Sequence, residues 1–382
     1  MTGPSKKNIE IRAVTDKKAL KTFIKVPWSI YRDDPNWVPP LLMERKDALS
    51  SKHPFFKHAS WQAWIAYRDG KPVGRISAQI DQLHQERYGN HTGFFGLIEA
   101  PEDPDVFSAL FETAENWLRE KGMRTVIGPF NLGINQELGI LVEGFDTPPR
   151  IMTTHSARHY GASIEQCGYT RAQDMLAYEL DINSYQSPAS KNEVLNRYPG
   201  RIKVRQLDRK QMEADFEAMR EIFNDAWQEN WNFVPFTREE FNTIGKELLM
   251  VVPKEYLQIA EIDGEPAGFI ALLPDINEAI ADLNGRLLPF GWAKLLWRMK
   301  VKFPKAHRIP LMGVRKKYQN TIFGPAMAYM LIESVMWPGL ARGGERVEMS
   351  WILESNKPTR NIIEKFGGKI TKRYRMYEKS LD

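Results

Sequence analysis

The chain has 382 residues, 42% of them hydrophobic and 26% charged, with a formal net charge of +5. This is the balance of a soluble globular protein, too long for one ordinary core and sized for two of roughly 190 residues each. No apolar run approaches the ~20 residues that cross a bilayer, Met1 to Asn8 lacks the apolar core of a secretory signal, and the single cysteine, Cys167, excludes an internal disulfide. These features together point to a reducing, cytoplasmic setting. The positive charge is dispersed among acids, so a solvated surface is expected rather than a clear nucleic-acid groove.

Residues 8–14 alternate apolar and polar side chains and read as a strand, and Asp16 is placed to cap a helix from Lys17 to Val26. The Pro- and Trp-rich run from Trp28 to Leu42 reads as an ordered loop whose aromatics need burial. A hairpin about Asp69 and Gly70 is predicted from Trp61 to Arg68 and Pro72 to Ile80. A strand from His91 to Glu99, a helix from Asp105 to Lys121 ended by Gly122, and a strand from Arg124 to Gly128 follow. The order then recurs. Arg201 to Leu207 is a predicted strand, Asp215 to Glu229 and Arg238 to Val251 are predicted helices, and a second hairpin turns at Asp263 and Gly264. After an insertion from Asn277 to Pro304, whose Trp292, Leu295, Leu296 and Trp297 form a basic amphipathic helix expected to pack on its own domain, a strand runs from Ile309 to Val314. A helix from Ala326, a strand from Arg346 to Ile352, a helix from Pro358 to Phe366 and final strands from Ile370 to Lys379 complete the second copy. Such a repeat predicts two copies of one α/β (α+β) fold, residues 1–190 and 200–382, joined by the polar stretch Asn183 to Gly200.

One stretch organises the second copy. The strand ending at Val314 meets a basic turn from Arg315 to Thr321 and then a helix opened by Gly324 and Pro325. Orphan amides and the helix dipole point the same way at such a junction, which makes an anion site. The run from Val314 to Ala326 resembles the pyrophosphate loop of GCN5-related N-acetyltransferases, with Gln319 and Gly324 at its first and last positions and Ile322 departing from the middle glycine. Ser350 to Asn356, followed by Ile362 to Gly367, resembles that family's ending, and Tyr160 to Tyr169 echoes it in the first half. More narrowly, Gly128 to Asn131, Glu137 to Phe145 and Pro148-Pro149 look like a bacterial tandem family of this fold. The resemblance implies two tandem domains, each a mixed, mostly antiparallel twisted sheet flanked by helices.

It also implies a site. Acetyl-CoA or a longer acyl-CoA would be held by the backbone of Met312 and Val314, by the amides of Gln319, Asn320, Thr321, Ile322, Phe323 and Gly324, and by Asn356, which reads equally as a helix cap. The tyrosine that the family places four residues before the helix-ending glycine is Ile363 here. Tyr374 is then a candidate acid and Glu348 a candidate base, against the plainer reading of both as ordinary strand residues, Glu348 facing solvent. In the first half, the corresponding loop from Glu99 to Asp105 carries four acids and two prolines, which repel pyrophosphate and remove donors. That copy is expected to supply acceptor-binding residues, Asn131, Glu137 and Tyr160, or a long loop held by its own polar groups. The histidines show no metal spacing, and no metal is expected.

Three functions fit this reading. The first is an acyl-CoA-dependent N-acyltransferase acting on a small-molecule amine, with a homodimer compatible. The second is a non-catalytic tandem fold that binds a ligand or partner. The third is a peptidoglycan-type aminoacyl transferase that takes charged tRNA.

Overall fold

The computed structural model describes residues 9–185, 189–249 and 252–382. In chain order its main elements are β1 (Ile9–Ala13), α1 (Lys17–Lys25), β2 (Ala59–Arg68), β3 (Lys71–Asp81), β4 (Thr92–Glu99), α2 (Pro104–Glu120), β5 (Thr125–Gly128), β6 (Ile140–Glu143), α3 (Tyr160–Gln166) and β7 (Thr170–Asp181). The second series is β8 (Ile202–Gln206), α4 (Met212–Trp227), α5 (Arg238–Leu249), β9 (Leu257–Ile262), β10 (Glu265–Pro274), α6 (Gly291–Trp297), β11 (Ala306–Val314), α7 (Phe323–Ala341), β12 (Arg346–Leu353), α8 (Lys357–Lys365) and β13 (Lys369–Ser380). Among the described residues no helix is long and apolar enough to cross a membrane.

The chain forms two compact units. The first takes the chain up to Met175, then Leu283–Leu287 and Lys372–Asp382; the second takes Leu176–Asp282 and Leu288–Thr371. The units are therefore not contiguous halves: the divisions fall inside β7 and β13, which the expected spans 1–190 and 200–382 do not show. The stretch read as a linker also holds a helix, Ala189–Arg197. Its residues 186–188 lie outside the described residues, as do Asn8 of the expected first strand and residues 250–251 of the expected end of α5.

In the first unit β1, β2, β3 and β4 pair antiparallel in sequence order, and β4 pairs parallel with β5. Asp69 and Gly70 both have positive φ (50° and 72°), the twist that closes a tight two-residue hairpin. Asp16 caps α1 by accepting from the Ala19 amide at 2.7 Å. The core lies between this sheet and α2, whose Val106, Phe107, Leu110, Phe111, Ala114 and Leu118 are all buried. The Trp-rich loop is ordered as expected: the Tyr31 and Trp37 rings stack at 5.3 Å and Trp28 donates its Nε1 proton to Asn284.

The second unit repeats the plan. β8, β9, β10 and β11 pair antiparallel, and β11 pairs parallel with β12. α7 is apolar all round because it is covered on most sides, from Ala326 through Met336. The Asp263-Gly264 turn repeats the positive-φ pair of the first hairpin.

Candidate functional site

The second unit opens a gap between two parallel strands. β11 and β12 are in register at Ala306/Arg346, His307/Val347, Arg308/Glu348 and Ile309/Met349, and their pairing ends there. Pro310, which has no N–H, comes next in β11. Beyond it β11 stays paired with β10 through Leu311/Ala271, Met312/Ile270, Gly313/Phe269 and Val314/Gly268. The Arg315 amide donates to the Ala267 carbonyl at 2.7 Å, which fixes the odd-numbered residues as those bonded to β10. The peptide groups of Met312 and Val314 therefore face the other edge. Trp227 Nε1 reaches the Met312 carbonyl at 3.0 Å, and the Gln319 side-chain amide reaches the Val314 carbonyl at 2.9 Å.

The loop after β11 is tighter than the sequence suggested. Lys316–Gln319 forms a helical turn. The Tyr318, Thr321 and Gly324 amides then bond to Arg315, Tyr318 and Thr321 carbonyls, and the Phe323 amide bonds to the Thr321 hydroxyl. Asn320 ends the helical turn, and Ile322, in place of the family's middle glycine, is half exposed immediately before α7. Gly324 is needed for close approach, since a Cβ there would lie 2.5 Å from the Tyr318 carbonyl oxygen. The basic residues are tied down as well: Arg315 pairs with Glu221, Lys316 with Glu229 and Lys317 with Glu265.

Glu348 does not face solvent. It is 2% exposed and lies 3.8 Å from Arg308, itself 1% exposed. Ser350 donates its hydroxyl to Glu348 at 2.6 Å, and Arg308 Nε donates to the Ser350 oxygen at 2.9 Å. The Arg308 guanidinium also lies over the Trp351 ring at 4.7 Å. This buried cluster sits at the last paired residues before the strands separate. Asn356 caps α8, accepting from the Thr359 amide at 3.2 Å. Ile363 is buried against Gly368, so the family's tyrosine position is filled by packing.

Tyr374 requires a correction. It belongs to the first unit, opposite Leu141 of β6, and is fully buried there. The hydroxyl beside α8 in the second unit is that of Tyr178, which donates to Glu364 at 2.8 Å and accepts from Arg360 Nε at 3.0 Å. Burial pushes this phenol above its ordinary pKa, with Arg360 opposing.

The equivalent gap in the first unit is filled by its own chain. β4 and β5 pair only at Thr92/Thr125, Gly93/Val126 and Phe94/Ile127. Residues Phe130 and Asn131 then run against β4: the Leu97 amide donates to the Asn131 side chain at 2.8 Å, and a Cβ on Gly96 would lie 1.9 Å from the Phe130 carbonyl oxygen. Gln79 holds the segment by donating to the Phe130 and Leu132 carbonyls at 2.6 and 2.9 Å. At the strand's end Tyr31 and Tyr160 donate to Glu99 at 2.6 and 2.8 Å, and the Ala100 amide donates to Tyr160. Burial raises the Glu99 pKa against the pull of Arg75, 3.5 Å away. Asp103 caps α2 and pairs with Arg68. Glu137 is held in two hydrogen bonds by Arg45, at 2.6 and 3.0 Å. Asn131, Glu137 and Tyr160 each hydrogen-bond to groups of their own chain.

Arg308, Ser350, Trp227 and Tyr178 were not singled out from sequence. Arg308 carried a signal, a charge inside an apolar strand pattern, whose partner only the parallel register identifies. Among the described residues no group of three or more His, Cys, Asp or Glu side chains could hold a metal ion.

No protein-family model matches the chain. In structure it is similar to a tandem GNAT protein from the clavulanic acid biosynthesis pathway (TM-score 0.59, 13% identity, 98% of this chain and 99% of that one). It is also similar to a GCN5-related N-acetyltransferase from Sphaerobacter thermophilus (TM-score 0.54, 13% identity, 98% and 96%). Both establish the fold. In sequence it is 49% identical to Protein YghO of Escherichia coli (strain K12), over 97% of this chain and 95% of that protein. It is 46% identical to a bacterial ceramide synthase of Caulobacter vibrioides (strain NA1000 / CB15N), over 98% of each chain. With full-length identity at that level, the chain belongs to the family of those two proteins, and its two units have the fold of the tandem GNAT structures.

Proposed function

We propose that the protein is an acyl-CoA-dependent N-acyltransferase that forms an amide on a long-chain amino alcohol, with the acyl-CoA held by the second unit. The observation that carries this reading is the edge of β11 beyond Pro310, where pairing with β12 has ended and the Met312 and Val314 carbonyls accept from side chains rather than from a neighbouring strand. The name of the Caulobacter relative, a ceramide synthase 46% identical along the whole chain, supports the acceptor class. The first unit's filled gap and acidic loop favour one coenzyme site rather than two.

In this reading the pantetheine arm runs along β11, and its pyrophosphate lies over the turn from Gln319 to Gly324 at the start of α7. Asn356, the cap of α8 after β12, would contact the pantetheine end. The acceptor's amine nitrogen attacks the thioester carbonyl carbon, the C–S bond breaks, and the thiolate leaves with a proton as free coenzyme A. The amine proton passes through the Ser350 hydroxyl to Glu348, which Arg308 keeps in place, and the thiolate is reprotonated by Tyr178. Proton transfer by positioned groups of this kind contributes about 10²–10⁴-fold to a rate.

The test is incubation of the purified protein with a long-chain acyl-CoA and a long-chain 2-amino-1,3-diol. The amide would be followed by mass spectrometry and the released thiol by colorimetry. Equal amounts of amide and free coenzyme A are expected. Thioester hydrolysis without amide, or neither product, would reject the proposal. Glu348→Gln, which preserves volume, is expected to lower kcat by about 10²-fold or more while leaving acyl-CoA binding intact.

A further inference from the structure

The insertion before β11 projects an apolar surface that none of the described residues covers. Leu288 is 79% exposed and Phe290 78%, followed by Trp292, Leu296, Trp297 and Val301 at 47–69%. The inner side of the same segment is firmly anchored. Met299 is buried, Arg298 donates to the Ala279 carbonyl at 2.7 Å and pairs with Asp282, and Phe303 packs its ring against Tyr256 and His307. The expected packing on its own domain is therefore made by the residues that follow the helix, Arg298, Met299 and Phe303. α6 has no buried residue.

From Leu288 to Lys305 the sequence carries Lys294, Arg298, Lys300, Lys302 and Lys305 and no acid. Lys300 and Lys302 are exposed and have no acidic partner among the described residues. Tryptophan suits the boundary between headgroups and acyl chains, where its ring is buried and its N–H stays wet. A short amphipathic helix with aromatic and aliphatic side chains and lysines around them is the pattern of a segment that lies in that boundary. A second copy is a poorer occupant, because a two-fold contact would set this basic segment against its own like charges.

We propose that the segment Leu288–Val301 docks the protein on an anionic phospholipid surface, with Phe290, Trp292, Leu296 and Trp297 entering the headgroup layer and Lys300 and Lys302 meeting the lipid charge. This goes beyond acyl transfer, and its test needs no acyl donor, so the two stand or fall separately.

The experiment is vesicle flotation of the full chain with phosphatidylcholine alone and with phosphatidylcholine mixed with phosphatidylglycerol, at low and high salt. Wild-type protein is expected to float with the anionic vesicles at low salt and to be released by salt. Lys300→Glu with Lys302→Glu should lower partitioning at least about tenfold, and Trp292→Ser with Trp297→Ser should abolish flotation, each with unchanged circular dichroism. The proposal is overturned if wild type stays in the soluble fraction with both vesicles, if it floats equally with neutral ones, or if either variant floats like wild type. A dimer in gel filtration that the tryptophan variant dissociates would assign the surface to a second copy instead.

Discussion

At the scale of single residues, the second unit invests its buried charge at the end of the β11–β12 pairing. Removing Arg308 leaves the Glu348 carboxylate uncompensated in a dry site, so Arg308→Ala is expected to cost about 3–5 kcal/mol in denaturant unfolding. Replacing both charges together, Arg308→Met with Glu348→Leu, should restore much of that stability and leave the protein without amide-forming activity. A double variant that retains activity would show that the pair serves packing alone. His307 makes a different statement. It is buried with its ring nitrogen 3.1 Å from the Tyr256 hydroxyl, and burial pushes its pKa down to about 4 from 6.5. The fold thus holds it neutral while the unfolded chain takes up a proton. Its contribution to stability is full above pH 6.5 and is lost as pH falls through about 4. The melting temperature should drop across that window, and less steeply in His307→Gln. Cys167 caps α3 with its thiol pushed up to about 11 by burial, so thiol reagents at neutral pH should label it slowly.

At the scale of elements, the two units do opposite things with one architectural feature. Each has a pair of parallel strands that separate after a few residues, β4–β5 in the first and β11–β12 in the second. In the first, the segment from Phe130 to Leu132 fills the gap and is held by Gln79 and by the Leu97 amide. Gly96→Ala would drive a Cβ into the Phe130 carbonyl. A loss of about 3 kcal/mol or more is expected, detectable as a lowered denaturation midpoint. The four acids and two prolines from Glu99 to Asp105 argue from sequence against a phosphate loop in this copy. The sequence did not announce the plug, because the fit of Gly96 under a carbonyl is a three-dimensional contact between segments over 30 residues apart. Hairpins, caps and the helix ends at Gly122 and Gly367 were legible because their signals are local. The loop after β11 was legible in position but not in detail. Gln319 turns its side chain back onto Val314, which no spacing rule foretells.

At the scale of the whole molecule, the repeat was visible as a recurring order of elements, and its ends were not. The last strand contributes Lys372–Asp382 to the first unit, so Tyr374, assigned from sequence to the second copy, is part of the first unit's core. Sequence adjacency could not show this, since β13 is one uninterrupted strand whose residues divide between units. The family resemblance carried the architecture, and the register of β10, β11 and β12 carried the site.

The central claim is that one acyl-CoA binds, along β11 of the second unit. Hydrogen–deuterium exchange with and without a long-chain acyl-CoA tests it most directly. Slowed exchange is expected in peptides covering Met312–Val314 and Gln319–Gly324, with no change across Phe94–Glu99 of the first unit. Protection at Phe94–Glu99, or none in either place at saturating ligand, would contradict it.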